Sequence, residues 1–287
     1  MSEPAKSAAV RRADLLESPD RGASIHKETA TGAAERHITY LSAPMPVSMG
    51  DWWFDIATID HFWIRRRFEV MRKLADPMVR EAKSLAEIGC GNGLLQRDIE
   101  DHYGIATAGF ELNEIALKKN VSRLSPLYCY NIHERNAEFR ARFDLLFLFD
   151  VLEHIEDESG FLQSVRFHLA SRGKLLINVP AHRFFYSDYD RAAGHIRRYS
   201  IGALAGICER NGLKMRASTY WGLPLVPLLL ARKLMSMERS DGKAGFDTRG
   251  RSMNTILSWL AQAEPLPQKF LGTSVMAVLE NETSVNE

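Results

Sequence analysis

From Ser84 to the C-terminus, short apolar runs alternate with amphipathic ones, and this rhythm restricts the fold more than any other feature of the chain. LAEIG, ATAGFE, LYCYNI, FDLLFLFDV, GKLLINVP and LKMRAST read as strands, and TSVMAVLE closes the chain as a strand at or near the sheet edge. GLLQRDIEDHY, NEIALKKNVSRL, ESGFLQSVRFHLA and IGALAGICERNGL carry the helical period between them. Alternation of this kind predicts an α/β fold: a seven-stranded, mostly parallel sheet with helices on both faces. Ligands of such sheets sit at the carboxyl ends of the strands.

The flanking segments depart from the rhythm. Residues 1–35, rich in Ala, Ser and charge without a sustained apolar period, are expected to form a disordered N-terminal arm. Residues 36–83 are expected to form an N-terminal helical cap. There the aromatics and aliphatics of GDWWFDIATIDHFWIRRRFEVMRKLAD recur at helical spacing up to Asp76-Pro77, where the helix should end. Residues 84–287 then make the main domain, with 220–270 as a lid or insertion before the last strand.

Charge excludes some partners. Lys and Arg number 37 against 36 Asp and Glu, so a net charge of +1 exerts no general pull toward nucleic acid or membrane. Cys90, Cys129 and Cys208 are odd in number and scattered, which fits neither a disulfide framework nor a zinc site. No run approaches the roughly 18 apolar residues of a spanning helix, and the charged start lacks the apolar stretch of a signal peptide. A cytoplasmic protein is expected.

The most informative residues for chemistry are Glu87-Ile88-Gly89-Cys90-Gly91-Asn92-Gly93, at the end of the first of these strands. Glycines there allow positive φ and let a ligand approach bare backbone, beside the amino end of the next helix. A dinucleotide loop needs G-x-G-x-x-G, but Leu94 stands where the third glycine belongs. The pattern present, E-x-G-x-G-x-G, suits a nucleoside with a cationic amino-acid tail and no pyrophosphate, which describes S-adenosylmethionine. About 20 residues on, Glu111 follows the second strand, where a carboxylate can accept both ribose hydroxyls.

With these residues the chain resembles the class I S-adenosylmethionine-dependent methyltransferases, whose fold is Rossmann-like. Tyr130-Asn131-Ile132 lies where that family contacts adenine, and Asp150-Val151-Leu152-Glu153-His154 resembles its D-V-L-E-H signature. The resemblance implies cofactor contacts from Glu87, Gly89, Cys90, Gly91, Asn92, Gly93, Glu111, Leu112, Asn131, Ile132, Asp150 and Val151. Asp150, Glu153 and His154 offer two carboxylates and an imidazole to a divalent ion, but the signature is widespread in members without metal, so none is expected. The stretch DRAAGHIRRYS is similar to a D-R-x-x-G-H-x-R-R-Y segment of a bacterial subfamily. That subfamily's upstream aromatic-Trp-Phe then Arg element is approximated by Phe62-Trp63-Ile64-Arg65, which adds Trp63 to the cofactor set.

The acceptor should meet the segment after the fifth strand. His195 is the leading general base, since imidazole titrates near neutral pH and Asp190 is near enough in sequence to orient it. Arg197 or Arg198 is able to clamp an acidic group, and Tyr199 belongs to the same set; alternatively Asp190, His195, Arg198 and Tyr199 form a hydrogen-bonded loop that only closes over the cofactor. The expected acceptor is a small or lipid-linked molecule that takes the methyl group on oxygen, less readily on nitrogen, with no nucleic acid partner. Residues 221–237, with Arg232 and Lys233, read as a lid helix, a homodimer contact or a peripheral membrane anchor. An RNA methyltransferase and a noncatalytic cofactor-binding scaffold are the rival readings.

Overall fold

The computed structural model describes residues 37–47, 54, 57–234, 251–262 and 264–282 of the 287. The expected arm at 1–35, Trp52, Trp53 and residues 235–250 of the expected insertion lie outside the described residues. Eight strands form one mixed sheet: β1 (Ile38–Tyr40), β2 (Leu85–Ile88), β3 (Ala108–Glu111), β4 (Leu127–Cys129), β5 (Phe143–Phe149), β6 (Leu169–Pro180), β7 (Leu213–Trp221) and β8 (Ser274–Asn281). Their order is β1-β4-β3-β2-β5-β6-β8-β7. The pairs from β1 to β6 are parallel, and β8 runs antiparallel to both β6 and β7.

The helices are α1 (Phe62–Glu81), α2 (Leu94–Tyr103), α3 (Glu114–Lys118), α4 (Glu158–His168), α5 (Asp188–Ala192), α6 (Ile201–Arg210), α7 (Val226–Leu234) and α8 (Arg251–Gln262). The sheet is covered on both sides. Phe161, Leu162 and Val165 of α4 with Leu204 and Cys208 of α6 share one apolar core with Phe110, Leu146 and Ile177. Val70, Met71, Ala75 and Val79 of α1 with Leu95 and Ile99 of α2 share the other with Leu145, Phe147 and Leu176. The strands are buried from both faces, which is why they read as continuous apolar runs rather than alternating ones.

Three features differ from expectation. The sheet has eight strands rather than seven, because Ile38-Thr39-Tyr40, inside the segment expected to be helical, pairs with Leu127-Tyr128-Cys129. Helix α1 does not stop at Asp76 but runs through Pro77 to Glu81. A proline inside a helix costs roughly 3 kcal/mol, but Val79 beyond it is fully buried, and Arg80 reaches back to Asp76 at 2.7 Å. The helix expected from 113 to 124 ends at Lys118, since the buried Asn120 amide donates to Gln96 Oε1 at 2.8 Å and its carbonyl accepts from Ser122 N at 2.9 Å. Side-chain bonds of that kind compete with the helical ladder. The closing strand lies between β6 and β7, near the sheet edge as expected, and β7 holds the edge itself.

No helix among the described residues is long and apolar enough to cross a membrane. The segment between β7 and β8 carries α7 and α8, and it is fastened by Glu264. That buried carboxylate accepts from Gly222 N and Leu223 N, each at 2.9 Å, and meets Arg66 of α1 at 3.4 Å.

Candidate active site

At the carboxyl end of β2 the chain turns through Gly89, Gly91 and Gly93, at φ +71°, +53° and +77°. Only glycine enters this region without steric cost. Space demands it too at Gly89, where a Cβ would lie 2.5 Å from Val151 Cγ2. At Gly91 a Cβ would meet only Phe54 Cε1, at 3.4 Å, among the described residues, so the backbone there is open. Gly89 N and Cys90 N both donate to Phe110 O, at 2.8 and 3.1 Å, which ties the loop to β3. Cys90 itself is buried against Leu117, Leu127 and Cys129, a packing role, and Asn92 Nδ2 donates to Ala57 O at 3.4 Å.

Glu111 closes the loop from the neighbouring strand. Its Oε2 accepts from Gly91 N at 2.9 Å, and its Oε1 accepts from Leu112 N and Asn113 N at 2.8 Å each. Burial raises its carboxyl above the usual range, against these three backbone donors. Glu87, wholly inside, is pushed up to about 8 by burial, with the Arg67 charge opposing, and its Oε2 has no hydrogen-bond partner. Asn131 caps the turn Ile132–Glu134 by accepting from His133 N at 3.1 Å, and Ile132 is buried beneath it.

Asp150 follows β5 with φ +56°, an unusual conformation for a side-chain-bearing residue. It is held from two sides, by Arg67 Nη1 at 2.6 Å and by Asn178 Nδ2 at 2.6 Å. Asn178 Oδ1 in turn accepts from Trp221 Nε1 at 2.8 Å, and Trp221 packs on Trp63 with ring centroids 4.3 Å apart. Sequence reasoning missed Arg67, Asn178 and Trp221. Arg67 is the last of three consecutive arginines, and the helical period alone did not distinguish it.

The third group lies after β6. Asp190 is fully buried on α5, and its Oδ1 accepts from His195 Nδ1 at 2.9 Å and from Arg198 Nε at 2.8 Å. Burial works against its charge, but the His195 hydrogen bond and the Arg198 guanidinium hold its carboxyl below the ordinary value. His195 Nε2 stands 3.9 Å from Glu153 Oε1. The arginines expected to clamp an acceptor are otherwise engaged: Arg198 also donates to Ala181 O at 3.1 Å, and Arg197 pairs with Glu158. Tyr199 OH donates to Glu158 Oε1 at 2.7 Å and is buried, so it braces the segment rather than lining a pocket.

The residues fit an adenosyl amino acid. Gly91 leaves bare backbone exposed to a ligand, the Glu111 carboxylate lies beside it, and the orphaned Glu87 oxygen is an acceptor awaiting a donor. Asp150 and Val151 adjoin the loop, Val151 through its Cγ2 beside Gly89. The loop, the second-strand acid and the residue after β5 therefore meet at one edge of the sheet.

Proteins of known structure share this fold. The chain is similar in structure to a phosphoethanolamine N-methyltransferase 2 of Haemonchus contortus in complex with S-adenosyl-L-methionine. The two are 16% identical with a TM-score of 0.52, over 78% of this chain and 56% of that one. It is also similar to a SAM dependent methyltransferase of Archaeoglobus fulgidus, with 14% identity, a TM-score of 0.50, and coverage of 75% of this chain and 94% of that one. A search of curated proteins found no match. A family described as "Methyltransferase domain" matches residues 59–218, more than half of the chain. The chain thus belongs to the methyltransferase-domain family and is a methyltransferase.

Proposed function

We propose that this methyltransferase acts on an oxygen, less readily a nitrogen, of a small, carbohydrate or lipid-linked acceptor. The observation that carries the reading is the Asp190–His195 pair, 2.9 Å apart, with the imidazole turned toward Glu153 beyond Asp150. Bound S-adenosylmethionine supplies a methyl carbon attached to a positively charged sulfur. Transfer destroys that charge, so the protein mainly aligns the partners and excludes water.

Glu87, the Gly89–Gly93 loop and Glu111 hold the amino-acid and nucleoside parts, and Asp150 borders the reacting end. His195 donates from Nδ1 to Asp190, which leaves the Nε2 lone pair for an acceptor hydroxyl. Arg198 and Tyr199 position this segment through Asp190 and Glu158. A lipid-linked acceptor fits the exposed Leu228 and Leu230 of α7 and the exposed Phe184 after β6.

The test is turnover. Incubation with S-adenosylmethionine and a panel of free sugars, polyprenyl-linked sugars and small hydroxylated metabolites should release S-adenosylhomocysteine with at least one of them. His195→Ala should then lower kcat by about 10²-fold or more while S-adenosylhomocysteine binds as to the parent. Equal rates would remove His195 from the acceptor side, and a panel in which no member releases S-adenosylhomocysteine would overturn these acceptor classes.

A further inference from the structure

Glu153 is fully buried, and neither of its carboxylate oxygens has a hydrogen-bond partner. Its position argues against accident. The turn Leu152–His154 that carries it is bonded to the segment before the Arg197-Arg198 pair, Ile196 N donating to Glu153 O at 3.0 Å. A buried carboxylate in a built site normally has a donor or a cation against it.

Two imidazoles face it. The His154 and His195 rings have centroids 4.9 Å apart and cross at 74°. One ligand atom from each of Glu153, His154 and His195 lies within 4.8 Å of the others. The 3.9 Å from His195 Nε2 to Glu153 Oε1 is too long for a hydrogen bond. It exceeds by roughly half an ångström the ~3.4 Å between two tetrahedral ligands that share a cation at about 2.1 Å from each.

The outer contacts match. His154 Nδ1 lies 3.0 Å from Gly194 O, and His195 Nδ1 lies 2.9 Å from Asp190 Oδ1. Both acceptors favour the proton on Nδ1 and leave the Nε2 lone pairs for the centre, as outer-shell carbonyls and carboxylates do for metal-bound imidazoles. Asp190 is itself fixed by Arg198 Nε at 2.8 Å and Ser187 N at 2.9 Å. Asp150, which the sequence groups with Glu153 and His154, is occupied by Arg67 and Asn178 instead.

We infer that Glu153, His154 and His195 hold a divalent first-row transition cation, with Asp190 and the Gly194 carbonyl orienting the two imidazoles. Two nitrogens and one carboxylate suit Zn²⁺, Mn²⁺ or Fe²⁺ better than Mg²⁺, which prefers an all-oxygen octahedron. Three protein ligands leave an open position. An acceptor hydroxyl placed there is polarised, and its O–H bond breaks with the electron pair kept on oxygen and the proton passing to solvent. The inference rests on the acceptor meeting this cluster, and it gives the His195 lone pair to the cation instead of to the proton.

The experiment is titration of the full chain, stripped with a chelator and desalted, with Zn²⁺, Mn²⁺ and Mg²⁺ in separate calorimetric runs, and with S-adenosylhomocysteine in parallel. One equivalent of Zn²⁺ or Mn²⁺ should bind at least tenfold more tightly than Mg²⁺. Glu153→Gln and His154→Gln should each weaken that binding at least tenfold while binding S-adenosylhomocysteine like the parent, which shows that they fold. Absence of stoichiometric transition-metal binding, or variants that bind the cation as the parent does, overturns the inference. A parent that binds no cation yet loses turnover on His195→Ala also overturns it and leaves the acceptor reading standing. If His195→Ala turns over normally, the acceptor reading fails as well.

Discussion

Glu87 shows how a single residue trades stability for binding. Its carboxyl is buried, partly unpartnered and raised to about 8, so in the ligand-free fold it keeps a proton that the unfolded chain releases near 4.5. A raised carboxyl stabilises the fold fully below the ordinary value and loses that contribution as pH climbs through the raised one. Between pH 4.5 and 8 the loss from this one group is on the order of 4 kcal/mol, with Asp98, raised to about 7 by burial, adding to the same slope. Glu87→Gln keeps the shape and removes the titration. Urea unfolding without cofactor at pH 5.5 and 8.5 should show a smaller pH dependence in the variant than in the parent, and S-adenosylhomocysteine should bind the variant more weakly. Identical slopes would mean that burial of this carboxyl does not govern the pH response.

The glycines and Glu111 were legible because they answer local demands: positive φ at fixed spacing, and an acid one strand on. Their meeting, Glu111 Oε2 on Gly91 N at 2.9 Å, follows from parallel pairing of β2 with β3. The Glu153–His195 approach was not legible. It joins residues 42 apart across two connections, and no period records such a distance.

At the scale of elements, strand identity was the easiest part to read, since burial on both faces leaves long apolar runs at β5 and β8. Boundaries were harder. Strand β1 has three residues and exists only because β4 offers an open edge, while α1 passes Pro77 because Val79 has a core to enter. Both outcomes are decided by tertiary contact over local preference. The same holds for the fastening of α1 to the segment before β8. Arg66 and Glu264 are 5% and 0% exposed, so removing one partner strands the other charge inside. Glu264→Ala should cost about 3 kcal/mol and lower Tm by roughly 5–10 °C, because it also frees Gly222 N and Leu223 N. Calorimetric melting checks this, and a shift under about 2 °C would place that segment's stability in its apolar contacts instead.

Across the whole molecule, the cap helix, the sheet and its far edge converge on Asp150. Trp221 at the end of β7 bonds Asn178 of β6, Asn178 bonds Asp150 after β5, and Asp150 pairs with Arg67 of α1. The chain of contacts crosses four elements, and the indole N–H is its outermost donor. Trp221→Phe keeps most of the packing on Trp63 but leaves Asn178 Oδ1 buried without its partner, a loss of about 1–3 kcal/mol. A purely structural contact would lower the melting temperature of the free and cofactor-loaded protein alike. Because the Asn178 amide also orients Asp150 at 2.6 Å, the variant should bind S-adenosylhomocysteine at least threefold more weakly. Bound ligand stabilises by RT ln(1 + [L]/Kd), so the ligand-induced rise in Tm should be smaller in Trp221→Phe than in the parent at equal ligand concentration. An equal rise would confine the network to holding the fold and would leave Asp150 positioned by Arg67 alone.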